Sequence, residues 1–122
     1  MSNPETISQI LRDKQLASLG DAFVNFIYSL ALTKIGGQPQ AVKVSDRILA
    51  EAFRLSGLRE HLATRVSKKD LANASESLLV EAYRRGFLTI EESVNILSQN
   101  PDGPAAALSE LLKLAAQRVG RA

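Results

Sequence analysis

The feature that most constrains this chain is a long apolar segment with a single carboxylate inside it. Between residues 16 and 30, large apolar side chains recur at the three- and four-residue spacing of one helix face. Asp21 lies within this segment and directly follows Gly20. Because an unpaired buried charge is costly, Asp21 is expected to be paired, to bind a metal ion, or to open onto a cleft. The glycine lowers helix propensity by ~1 kcal/mol relative to alanine, which indicates that another segment approaches closely at this turn.

Length and composition favour one globular domain over residues 1–122. The chain contains no cysteine, which excludes disulfides and zinc–thiolate sites. No apolar run is expected to reach the ~18 residues of a membrane span, and the N-terminus does not resemble a secretory signal. We therefore expect a cytoplasmic protein without membrane contact. The net charge of +2 permits nucleic-acid binding but does not by itself predict it.

Signals for helix starts and stops divide the chain into about seven helices and predict an all-α bundle. Asn3 and Pro4 predict the start of the first helix, which carries Ile7, Ile10 and Leu11, and Gly57 predicts a left-handed cap after the third. Residues 67–70 and 89–92 resemble capping boxes that begin two further helices. The predicted helices after the first span residues 14–34, 46–55, 58–62, 68–85, 90–99 and 104–119.

Three segments, in order, resemble the endonuclease domain of the ribonuclease III family. Leu19-Gly20-Asp21 before an apolar helix resembles its first motif. Residues 44–62 resemble its middle segment, Val-Ser-Asn-x-x-Leu-Ala, with Asp46 in place of the asparagine. Residues 72–79 resemble its second acidic motif, Ala-Asp-x-x-Glu-Ala-Leu, with Glu76 at the glutamate and Asn73 at the aspartate. The resemblance covers roughly residues 7–97 and implies a ribonuclease III-like helical fold.

The first motif departs from the family pattern at one further position. The family places a glutamate four residues before its aspartate, and this chain has Ala17 there. Mini-ribonuclease III proteins also lack that glutamate and are single catalytic domains, so residues 16–22 resemble them more closely. A small archaeal group with ribonuclease III similarity is a second candidate subgroup. The sequence is expected to contain no separate RNA-binding domain.

The resemblance implies a metal-dependent endoribonuclease. In that interpretation Asp21 and Glu76 are catalytic residues that bind Mg²⁺ or Mn²⁺, and Asn73 offers its carbonyl oxygen as a further ligand. Asn73 and Glu76 are three residues apart, so they share a helix face. Magnesium retains several waters, so one or two protein carboxylates are enough to hold it. A divalent cation activates water and neutralises charge that develops on the phosphate during phosphodiester hydrolysis.

The resemblance also implies two partners, a structured or double-stranded RNA and a second copy of the chain. A homodimer is expected because one subunit of the family forms only half of the duplex-binding valley. The helix around residues 23–28 is apolar almost all round, which favours an isologous contact. The side chains expected to contact RNA are the basic residues Lys14, Arg65, Lys68 and Lys69.

Two other hypotheses compete with the enzyme. Ala17 and Asn73 favour a catalytically impaired ribonuclease III-like fold that serves as an RNA-binding or assembly module. A helical protein-interaction domain with an unrelated role is the third. The structural alternative for Asp21 is an ion pair inside the bundle, for which Arg47, Arg54 and Arg84 are the candidates.

Overall fold

A computed structural model describes residues 6–121, and every described element is helical. It contains six α-helices and one 3₁₀ helix, in agreement with the seven helices predicted. The α-helices are α1 (Ile7–Leu11), α2 (Lys14–Gly36), α3 (Asp46–Ser56), α4 (Lys68–Arg84), α5 (Ile90–Gln99) and α6 (Pro104–Gly120), and the 3₁₀ helix spans Leu58–His61.

Polar caps fix where these helices begin. Thr6 caps α1 and forms a reciprocal capping box with Gln9, while the predicted start at Asn3 and Pro4 lies outside the described residues. The predicted box at residues 67–70 forms fully. At the start of α5, Thr89 accepts the backbone N–H of Glu92, but the Glu92 carboxylate binds Arg118 and the box is only half formed. A distant arginine has replaced the expected local contact.

The long apolar helix α2 packs on α4 and α5. Asp13 caps it through the N–H groups of Gln15 and Leu16, and it ends at Gly37, whose φ of 75° is the left-handed conformation that glycine adopts without strain. By length and composition α2 is apolar enough to span a membrane, which corrects the expectation that no segment is. This is weak evidence for a membrane, because core helices of globular folds pass the same test.

The centre of the bundle is α4 rather than the apolar helix α2. It packs on α1, α2, α3 and α6, and residues 74–82 are buried on every side of the helix. Small side chains such as Ala72, Ala74 and Ser75 allow the neighbouring helices to pack closely around α4. The Ser75 hydroxyl donates to the Leu49 carbonyl at 2.9 Å, so a buried polar group is satisfied within the core.

Candidate active site

The site is built where α2 and α4 cross in backbone contact. A Cβ atom placed on Gly20 would lie 2.1 Å from the carbonyl oxygen of Glu76 and 2.5 Å from its carbonyl carbon. Only glycine permits this approach, which confirms the prediction that another segment comes close at this turn. The crossing brings Asp21, the next residue on α2, against the Glu76 side chain on α4.

Asp21 is held by three neighbours. Its Oδ1 accepts hydrogen bonds from Lys43 Nζ at 3.0 Å and from Asn25 Nδ2 at 3.2 Å. The Asn25 Oδ1 in turn accepts the Val44 N–H at 2.7 Å, which fixes the segment before α3 against α2. The Lys43 ammonium, followed by the hydrogen bonds from Glu76 and Asn25, keeps the pKa of Asp21 below its usual value, although partial burial opposes this.

Glu76 has the opposite electrostatic environment. Only 4% of the residue is exposed, and burial, together with the hydrogen bond and charge of Asp21, raises its pKa to about 8. At neutral pH the Glu76 carboxyl therefore retains its proton beside Asp21. Two carboxylates whose pKa values are driven apart are typical of functional sites, although structural networks produce the same effect.

The two carboxyl groups face an open cleft of about 660 Å³. In its lining, Lys69 on α4 pairs with Asp46 at the start of α3, with Nζ and Oδ2 3.3 Å apart. Lysine ammonium groups thus lie among the acids of the cleft. The residues that line it are Lys14, Ala17, Ser18, Asp21, Lys43, Asp46, Lys69, Asp70, Asn73 and Glu76.

Most of the predicted site residues meet in this cleft. Asp21, Asn73 and Glu76 line it together with Ala17, as the family resemblance implied, and Lys14 and Lys69 line it as well. The other two predicted RNA contacts, Arg65 and Lys68, are exposed but do not line the cleft.

The structural partner of Asp21 is none of the predicted arginines. Within residues 6–121 Asp21 pairs with Lys43, while Arg54 pairs with Glu51 and Arg84 with Glu81. Sequence reasoning missed Lys43 because it lies between α2 and α3 outside any helix, where no helical spacing relates it to Asp21. Asp46 had a signal in the sequence, since it replaces the asparagine of the family pattern.

A model of the ribonuclease III family matches residues 14–120. This chain belongs to the ribonuclease III family. The search of curated proteins found no match. The all-α ribonuclease III domain predicted from the sequence is therefore confirmed, and the family is typically metal-dependent and acts on double-stranded RNA.

The residues of the cleft provide a reduced set of metal ligands. Within residues 6–121 no three acidic or histidine side chains come together as a metal cluster, and Ala17 offers no ligand atom. Asp21 and Glu76 nevertheless bring two carboxyl groups together at an open cleft, and Asn73 adds an amide to its lining. Hard oxygen donors in this number fit a Mg²⁺ or Mn²⁺ ion whose remaining ligands are waters.

Proposed function

We propose that the protein is a metal-dependent endoribonuclease that cleaves structured or double-stranded RNA in the cleft between α2 and α4. The observation that carries the proposal is the contact between Asp21 and Glu76, two carboxyl groups from different helices that face one open cleft. Ordinary packing does not require a nearly buried glutamate beside a second acid, because burying carboxyl groups is costly.

Each residue of the cleft has a role in this proposal. Asp21 and Glu76 hold the Mg²⁺ or Mn²⁺ ion, with the Asn73 carbonyl as a further oxygen ligand. The bound ion supplies the activation of water and the neutralisation of phosphate charge. Lys14 and Lys69 contact backbone phosphates at the mouth of the cleft, and Arg65 and Lys68 extend this contact outside it.

An exposed apolar surface supports the proposed homodimer. Phe26 is 51% exposed and Leu19 is 50% exposed, on the side of α2 where Phe23 stacks on Tyr83 with ring centroids 4.9 Å apart. Ile27, by contrast, is fully buried and belongs to the core. An isologous contact through Leu19, Phe26 and Tyr83 would remove this surface from water.

The dimer is tested by sedimentation equilibrium at tens of micromolar. The natural chain is expected to sediment as a dimer, and Phe26→Glu is expected to give a folded monomer. A natural chain that remains monomeric at these concentrations would argue against the homodimer.

A second candidate function is RNA binding without cleavage. It is favoured by Ala17, which replaces a family acid, and by Lys43, whose ammonium group lies 3.0 Å from the Asp21 carboxylate. In this case the cleft would bind the RNA backbone through its lysines, and the acids would serve only to set its local charge.

One experiment separates the two candidates. Duplex RNA is incubated with the protein and millimolar Mg²⁺ or Mn²⁺, and both cleavage and binding are measured over a range of salt concentrations. The enzyme predicts cleavage that Asp21→Asn abolishes and the exposed control Asp102→Asn retains. Binding that weakens steeply with salt, without any product, favours the second candidate. The absence of binding at low salt would refute both.

A further inference from the structure

A second, smaller cavity adjoins the cleft at the N-terminal end of α2. It has a volume of about 270 Å³ and lies between the start of α2, residues 62–66 and α4. Its walls are mainly apolar and include Leu11, Leu62 and Val66. The charged residues that also line it are Arg12, Asp13, Lys14 and Asp70. Lys14, Asp70 and Asn73 line both this cavity and the cleft, so the two spaces adjoin each other.

Asn73 stands at the junction of the two spaces with an available side chain. Its neighbours on α4 are engaged, since Asp70 completes the cap with Ser67 and Ser75 donates to the Leu49 carbonyl. Among the hydrogen bonds within residues 6–121, none involves the Asn73 amide. A half-buried amide of this kind offers both a donor and an acceptor to a ligand.

We propose that this cavity binds one unpaired nucleobase of the RNA that occupies the cleft. A base has two apolar faces and a polar edge, which match the apolar walls and the Asn73 amide. The adjacent ammonium of Lys14 and guanidinium of Arg12 suit the phosphate of the same nucleotide. The volume is near the lower limit of roughly 300 Å³ for small-ligand sites, so it suits one base rather than two.

This inference narrows the substrate class and rests on the proposed function. A base inside an A-form duplex is stacked and cannot enter a side cavity, whereas a bulged base is free to do so. The preferred RNA is therefore a duplex interrupted by an unpaired nucleotide close to the phosphates that lie in the cleft.

The test compares three RNA duplexes in a fluorescence anisotropy assay: one fully paired, one with a single-nucleotide bulge, and one with an abasic bulge. Binding is measured at low salt without divalent cations, so that cleavage does not interfere. The bulged duplex is expected to bind about tenfold more tightly than either of the other two, because only it supplies a base to bury. The abasic bulge controls for the added flexibility of the duplex.

Variants of Ala63 test whether the preference for the bulged duplex arises in this cavity. Ala63 is an exposed residue that lines it. Ala63→Phe fills the cavity and is expected to remove the preference for the bulge without weakening binding to the paired duplex. Ala63→Ser leaves the cavity open and is expected to retain the preference. Equal affinity for the bulged and abasic duplexes, or a preference that survives Ala63→Phe, would overturn the inference alone. If none of the three duplexes binds, the proposed function fails together with this inference.

Discussion

Replacing Gly20 with alanine is predicted to destabilise the protein by forcing α2 and α4 apart. The new Cβ would lie 2.1 Å from a backbone oxygen that cannot rotate away. Because contacts between such atoms are favourable only from ~3.5 Å, the helices must separate by about 1 Å or more. Overpacking of this kind costs about 3 kcal/mol, of which the better helix propensity of alanine returns ~1 kcal/mol. The net loss is about 2 kcal/mol.

Thermal unfolding followed by circular dichroism measures this loss. A destabilisation of that size lowers the melting temperature by about 8 °C for a domain of this length. Gly120→Ala is the matched control, since its Cβ would lie 3.8 Å from Ile7 Cδ1, an ordinary contact within a helix. That variant is expected to be neutral or slightly stabilising.

The same variant tests how the site is assembled. Separation of the helices at Gly20 also separates Asp21 from Glu76, so the pKa of Glu76 should fall toward its usual value. If Gly20→Ala melted at or above the temperature of Gly120→Ala, the close crossing of α2 and α4 would be refuted, and with it the argument that the glycine builds the site.

Three further variants probe the charges of the cleft. The pKa of Glu76 is raised to about 8, so the folded state binds this proton more tightly than the unfolded chain does. The free energy of unfolding should therefore fall as the pH rises from about 5 to 8. In urea titrations, Glu76→Gln should reduce this fall. A fall that persists in the variant would assign it to another group. Ala17→Glu combined with Asn73→Asp should increase the rise in melting temperature that Mg²⁺ or Mn²⁺ produces, because more carboxylates then bind the ion in the folded state; an unchanged response would mean that these positions do not share one site. Lys43→Met should lower the metal concentration that produces half of the rise in melting temperature, because it removes a competing cation from Asp21. The control Lys113→Met, outside the cleft, should leave that concentration unchanged. Equal midpoints would show that the ammonium does not compete.

The start and stop signals were sufficient to predict the helices because caps are local interactions. Ser67 with Asp70, and the glycine at Gly57, satisfy helix ends within three or four residues of chain. The box at residues 89–92 was predicted in full but formed only in half. Arg118, 26 residues farther along the chain, forms two charged hydrogen bonds to Glu92, and such bonds are stronger than one contact to a backbone N–H.

The features of the candidate site also separate into those that the sequence predicts and those that depend on the fold. The sequence alone predicted Asp21 as a candidate, because a carboxylate inside an apolar helix can be recognised without knowing the fold. The family resemblance implied Glu76 and Asn73 as the other two candidates. The sequence also predicts a close approach of another segment at Gly20, because a glycine inside a helix costs stability that some other contact must offset.

Tertiary structure alone decided which groups act on these residues. The Lys43 ammonium reaches Asp21 from the segment between α2 and α3, and the neighbouring cavity joins side chains from α1, α4 and residues 62–66. The pKa difference between Asp21 and Glu76 likewise depends on burial and on the helix crossing, neither of which has a periodic signature in the chain. Helix caps and helix faces depend on neighbours in sequence, whereas charge, burial and cavity shape depend on neighbours in space.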